Sequence, residues 1–172
     1  MKEVQVTGGH VALVDDEDEA LVRGYSWNAL PGKNTMYAKA GVRGSRPQKN
    51  VYLHRLILNA PKGVQVDHQN RNGLDCRREN IRLASNGQNM WNAIKVRISR
   101  GKPPSSRYKG VSKRTNCKNK LWQASIGGHV ELGCFDSEEE AACAYDAAAA
   151  VQYGEFARLN FPDEVNMLLL RS

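Results

Sequence analysis

Residues 64–92 constrain this chain more than any other stretch. They read Val-Gln-Val-Asp67-His68, a loop rich in Asn, Gly and Arg, then Asn80-Ile-Arg82-Leu, and finally Gln88-Asn89-Met-Trp-Asn92. Val64, Gln65 and Val66 form a short β-prone run that ends at Asp67. Residues 81–83 form another, with the turn residues Asn70, Asn72 and Gly73 between them. Ser85 with Gln88 three residues later has the spacing of a capping box, which predicts a helix whose apolar stripe is Met90, Ile94 and Ile98. The order is therefore strand, loop, strand, helix, with Asp67 and His68 at the end of the first strand.

Cutting a phosphodiester needs a base to activate water and a cation to offset charge on the leaving oxygen. His68 suits the first task, because imidazole is partly neutral and basic near physiological pH. Asp67 suits the second, because a hard cation such as Mg²⁺ takes one or two protein carboxylates and keeps several waters. An Asp-His pair by itself is more often a surface turn than a site. Its setting of strands, Asn80, Arg82 and a following helix favours a metal-dependent nuclease.

The pattern V-D-H-(x)11-N-I-R-(x)6-N, preceded by Y-L-H54-R55-L-I, resembles the HNH (ββα-metal) endonucleases, in particular the small phage and intron-encoded homing enzymes. The resemblance implies His68 as general base, Asp67 and Asn89 as protein ligands of one Mg²⁺ or Mn²⁺ per active site, and Asn80 as the brace that holds the loop and orients His68. Asn89 stands where the family name has its second His. An oxygen ligand there favours Mg²⁺ or Mn²⁺ over a softer metal. His54 has two readings: a group on the scissile phosphate, or a satisfied core residue among Leu53, Leu56 and Ile57.

The chain's net charge of +7 points to a polyanionic partner, which the family resemblance implies is double-stranded DNA. The charge is segregated. Residues 31–60 contain no acid, and neither do residues 93–120, where ten lysines and arginines fall. Such runs can be plain solvated faces; flanking the 64–92 stretch, they read as a DNA footprint. The expected contacts are Arg55, Arg71, Arg82, Lys95, Arg97, Arg100, Lys102, Arg107, Lys109, Lys113 and Arg114, with the tip at 43–49 as a further candidate. Cys76, Cys117, Cys134 and Cys143 show no C-x-x-C spacing, which argues against a structural zinc site. No apolar run reaches the roughly 20 residues that span a bilayer, so no membrane partner and a cytoplasmic location are expected. By the family resemblance, the cell is one that carries a phage or prophage.

Residues 1–62 alternate short apolar runs with turns and predict strands and a hairpin, with the acidic run at 15–19 opening a short helix or lying in a loop. Pro103-Pro104 cannot continue a helix and marks a boundary. Beyond it, residues 108–111, 121–126 and 130–135 read as a three-stranded antiparallel meander with a turn at Gly127-Gly128. Ser137 and Glu140 cap an alanine-rich helix that closes at Gly154.

The motifs Y-K-G-V, W-x-A-x-I, L-G-x-F-D-S-E-E-E-A-A-x-A-Y-D-A-A-A and G-E-F-A-R-L-N-F-P resemble the APETALA2-type DNA-binding domain of plant ethylene-response factors and of phage HNH proteins. The resemblance implies a sheet that lies in the major groove. Lys109, Arg114 and Trp122 match contact positions, although Trp122 also fits the core. Ser112, Gly127 and Glu131 replace the Arg or Trp of the plant domains, so the plant target sequence does not carry over.

The expected fold class is α+β: a small β-rich N-terminal segment and a ββα-metal module, then a three-stranded antiparallel sheet packed on one helix. The expected boundaries are a nuclease domain at 1–98 with its core at about 64–98, a basic linker at 99–107, a DNA-binding domain at 108–162 and a tail at 163–172. The expected function is a site-directed DNA endonuclease of the homing type, monomeric and nicking one strand. The competing readings are a DNA-binding regulator that no longer cuts and an RNA-binding module.

Overall fold

The computed structural model describes residues 1–42, 44, 49–95, 103–114 and 121–163. Arg43, Arg46, Arg97, Ile98, Arg100, Lys102, Cys117 and the tail beyond 163 lie outside the described residues. The chain divides into two compact units, Met1–Asn89 and Met90–Ser172.

In the first unit, β1 (Lys2–Val6) and β2 (His10–Val14) form an antiparallel hairpin with Lys2 opposite Val14. Period-two alternation turns Ala12 and Val14 inward, and both are fully buried. The acidic run makes a 3-10 turn at Asp16–Asp18 that leads into α1 (Glu19–Val22). Asp18 is buried there, and the Arg78 guanidinium holds it through Nη2 and Nε at 2.7 and 2.9 Å. Next come β3 (Asn28–Pro31), β4 (Met36–Gly41) and β5 (Asn50–Tyr52), an antiparallel sheet in the order β3-β4-β5, followed directly by α2 (Leu53–Ile57). The last pair is β6 (Gln65–His68) and β7 (Ile81–Ala84), antiparallel with Asp67 opposite Arg82 and His68 opposite Ile81. One core, built from Val6, Val14, Val22, Trp27, Leu53, Cys76, Ile81 and their neighbours, joins these small sheets.

The capping box at the start of α3 (Asn86–Asn92) is formed reciprocally: Gln88 N donates to Ser85 Oγ at 3.2 Å, and Ser85 N donates to Gln88 Oε1 at 2.8 Å. The helix is shorter than its expected stripe requires. It ends at Asn92, and Met90 is 72% exposed. The residue that packs is Trp91, stacked on Tyr153 with ring centroids 4.5 Å apart. Trp91 and Tyr153 both belong to the second unit, whose boundary at Asn89/Met90 lies upstream of the Pro-Pro step.

The second unit is a sheet in the order β10-β9-β8, made by β8 (Val111–Lys113), β9 (Trp122–Ile126) and β10 (Val130–Phe135), all antiparallel, with α4 (Glu138–Tyr153) packed on it. Ser137 Oγ accepts from Glu140 N at 3.1 Å, which caps α4 as its spacing predicts. Ala141, Ala142 and Ala149 are fully buried, and side chains this small let the helix lie close against the sheet. Fully buried Asp146 accepts from Asn160 N, Asn160 Nδ2 and Phe161 N, while Asn160 Oδ1 accepts from Lys109 N. The segment after α4 is thereby pinned across it. The α+β class and the sheet-on-helix C-terminal module are as the sequence implies.

Candidate active site

Strand β6 delivers Asp67 and His68 from adjacent positions, so their side chains leave on opposite faces. Directly opposite residues of an antiparallel pair share a face. Asp67 therefore meets Arg82, whose Nη2 and Nε donate to Asp67 Oδ2 at 2.8 and 3.0 Å. Both are well shielded, with the Asp67 side chain 4% exposed and that of Arg82 13% exposed.

His68 turns to the other side and meets His54 of α2, their rings edge to face with centroids 5.0 Å apart. Tyr37 of β4 lies 5.6 Å from the His54 ring and 5.9 Å from that of His68, and Tyr52 stacks on His54 at 5.7 Å. His54 is 8% exposed and His68 6%. Burial holds both imidazoles in the neutral form. It pushes His54 down to about 3, helped by His68 and Arg55, and His68 down to about 4, against the upward pull of Asp67 and Asp75. At neutral pH each ring thus keeps a basic lone pair. Burial and the charge of Asp67 raise the Tyr37 hydroxyl, which stays protonated.

The loop between β6 and β7 is built from its own polar side chains. Asn80, buried, accepts from Asn70 N at 2.9 Å and donates to the Asp75 carbonyl at 2.7 Å. Asp75 is clasped by Arg77 through Nε and Nη2 at 2.8 and 2.7 Å, which holds its carboxyl below the usual carboxylate range. Leu13 N donates to Leu74 O and Cys76 N to Leu13 O, both at 2.8 Å, so the loop is stitched to β2. Gly73 approaches β4 so closely that a Cβ there would strike the Met36 carbonyl and the Tyr37 ring. This docking carries Cys76 to His54 and His68: one ligand atom from each of the three lies within 4.8 Å of the others. Sequence spacing could not have found Cys76, because its neighbours here are histidines from distant elements.

A family model described as HNH endonuclease matches residues 51–91, which hold His54, Asp67, His68, Asn80 and Asn89. A mimivirus relative from Acanthamoeba polyphaga mimivirus, described as an uncharacterized HNH endonuclease, is 30% identical over 158 residues, covering 88% of this chain and 75% of its own. The chain belongs to the HNH endonuclease family. The C-terminal region of this HNH endonuclease is similar to plant dehydration-responsive element-binding proteins. Protein 2D of Arabidopsis thaliana is 46% identical over 66 residues, and protein 2A of the same plant is 44% identical over 70. Those matches cover 36% and 37% of this chain but only 31% and 20% of the plant proteins, and they support an APETALA2-type domain. No solved structure gives a significant match. No helix among the described residues is long and apolar enough to cross a membrane.

The donor set expected for the metal in this HNH endonuclease, the Asp67 carboxylate and the Asn89 carboxamide, offers oxygen, which fits Mg²⁺ or Mn²⁺. Asp67 sits at the end of β6 and Asn89 in the first unit's part of α3.

The expected DNA contacts fall into two groups. Arg71, Arg107 and Lys113 are exposed, and Arg71 has a left-handed backbone, φ 64°. Arg107 also reaches the Tyr108 hydroxyl at 2.6 Å and Glu139 at 3.4 Å, while Arg114 reaches Glu131 at 3.4 Å. The other group has intramolecular duties. Arg55 donates to the Val64, Pro61 and Ala60 carbonyls at 2.6, 2.8 and 3.1 Å, which ties α2 to the turn before β6. Arg82 holds Asp67. Lys95 Nζ donates to the Tyr108 and Val111 carbonyls, and Lys109 Nζ to those of Met90, Trp91 and Ala93. Burial, with Arg158 adding repulsion, lowers Lys109 to about 8. Trp122 is half-buried, against the core of the second unit.

Proposed function

We propose that this chain is a metal-dependent DNA endonuclease of the homing type, which nicks one strand of double-stranded DNA as a monomer and is targeted by its APETALA2-type domain. The observation that carries this reading is the end of β6, within the stretch that matches the HNH family: adjacent positions present a shielded carboxylate, Asp67, held by Arg82 on one face, and an imidazole, His68, held neutral on the other. His68 accepts the proton of the attacking water on its basic ring nitrogen. His54 and Tyr37 fix the plane of that ring by packing against it, and Asn80 fixes the loop that follows it. Asp67 and Asn89 would hold a Mg²⁺ or Mn²⁺ ion, which when bound offsets charge on the leaving oxygen. One base and one metal per chain make one reaction centre, hence one cut per binding event.

The test is a supercoiled-plasmid assay with Mg²⁺ or with EDTA, followed by denaturing gels of a duplex labelled separately on each strand. Nicked circles with Mg²⁺ alone, and one labelled strand cut, are expected. Simultaneous cleavage of both strands with second-order dependence on protein would overturn the monomeric nickase. No cleavage under any metal would leave a DNA-binding regulator.

A further inference from the structure

We infer that His54, His68 and Cys76 form a site for one borderline-soft divalent ion of the zinc class, distinct in donor chemistry from the oxygen pair Asp67 and Asn89, and that filling it switches the nuclease off. The second half rests on the reading of His68 as the base; the first does not.

Three independent elements converge to make the site: α2 brings His54, β6 brings His68 and the loop stitched to β2 brings Cys76. Their ligand atoms lie within 4.8 Å of one another. Zinc bonds of about 2.0–2.3 Å to nitrogen and sulfur put tetrahedral ligand atoms roughly 3.5 Å apart, so closure takes shifts of about an ångström. His54 supplies the second observation. It is 92% shielded by its 8% exposure, and its Nδ1 is buried with no hydrogen bond. A ring that served packing alone among Tyr37, Tyr52 and His68 would be better as Phe, because burying a ring nitrogen with no hydrogen bond is costly. A metal ligand explains the nitrogen. Cys76 is wholly buried, and its thiol makes only a long contact, 3.8 Å, with the Gly73 carbonyl.

The donor chemistry selects the ion. Two imidazoles and one thiolate suit zinc far better than Mg²⁺, and three protein ligands leave a fourth position for water. Both rings are already neutral, whereas the buried thiol must surrender its proton as the ion binds. The carboxylates Asp67 and Asp75 act on His68, and Asp75 on Cys76, in favour of a cation, while the Arg55 charge acts against one at His54. Inhibition then follows from valence. A neutral imidazole has one basic lone pair, and once that pair is given to a metal the ring cannot take a proton from water.

The test uses the full chain, reduced and stripped of metal. Co²⁺ is titrated while thiolate-to-cobalt charge-transfer absorption is recorded, then displaced with Zn²⁺, for the wild type, Cys76→Ser and Cys76→Ala. One equivalent should give the band in the wild type, and both variants should lose it. In the plasmid assay with Mg²⁺, the Zn²⁺ concentration that halves each protein's own rate should rise at least tenfold in the variants. No band in the wild type, or an undiminished band in a folded variant, overturns the site; the wild-type titration decides even if neither variant folds. Equal zinc sensitivity in the wild type and a folded variant overturns the inhibition. A wild type that binds cobalt through Cys76 but never cuts DNA refutes the nuclease reading and leaves the metal site standing.

Discussion

The guanidinium of Arg82 closes on Asp67 from the facing strand, giving two hydrogen bonds, at 2.8 and 3.0 Å, to one carboxylate oxygen. The pair sits where β6 and β7 are in register, and both side chains are shielded from solvent. Arg82→Ala would strand the Asp67 carboxylate. Breaking one side of a buried pair costs about 3–5 kcal/mol, and urea unfolding should show a loss of that order. Adding Asp67→Ala to Arg82→Ala should recover part of it. A single variant as stable as the wild type would mean that the pair is open in solution.

His68→Ala should leave DNA affinity nearly unchanged while cleavage falls about 10²- to 10⁴-fold, the usual contribution of a general base. Single-turnover nicking and a binding titration on the same duplex measure the two separately. Wild-type cutting by this variant would move the base elsewhere, with His54 next in line.

The pH dependence has a definite sign. Both histidines titrate lower in the folded protein, about 3 for His54 and about 4 for His68, than the ordinary 6.5 of an unfolded chain. Between pH 6.5 and these values the unfolded state binds more protons, so stability falls as pH falls. The contribution of His68, roughly 3 kcal/mol, is fully present above pH 6.5 and gone below about 4. Denaturant midpoints from pH 7 to pH 4 should therefore decline, and His68→Phe should flatten the slope. The acid limb of kcat/KM for the free protein should lie near 4; a limb at 6.5 would show that the ring is solvated.

Much of this architecture was legible in the sequence because the signals were local. The capping box of α3, the Ser137 cap of α4, the turn residues between strands and the alanine face of α4 depend on neighbours a few residues away, and the structure forms each of them. The site's interior was not legible. That Asp67 faces Arg82 depends on strand register, and that Cys76 reaches His54 and His68 depends on how the loop docks on β2. Composition was equally blind to the use of each cation. Arg55 and Lys109 count as positive charge in any run, but backbone carbonyls left over at turns and helix ends claim them. Of the expected stripe, Met90 and Ile94 misled: both are exposed, and Trp91 on Tyr153 provides the packing.

Asp67→Ala and Asn89→Ala should each raise the Mg²⁺ concentration needed for half-maximal nicking, with partial rescue by Mn²⁺, because each removes one oxygen donor. A Mg²⁺ titration of the rate checks this. Cleavage by the wild type in EDTA would show that no divalent ion is required.

Gly110→Ala separates targeting from chemistry. Gly110 has φ +75°, and a Cβ there would run into the ring of Tyr145, a buried residue of α4. The backbone penalty for an L side chain in that region is about 1–2 kcal/mol. The collision adds more, since Tyr145 is held by the core of the sheet and cannot swing away. The C-terminal unit should unfold early, giving a second, lower transition in calorimetry. If that unit supplies targeting, DNA affinity and its salt dependence should fall together, because each phosphate contact adds roughly 0.9 to the slope of log affinity against log salt. Nicking should persist at high protein concentration with its site preference lost. Unchanged affinity, salt slope and site choice in a protein whose C-terminal unit has melted would show that the APETALA2-type domain serves something other than targeting.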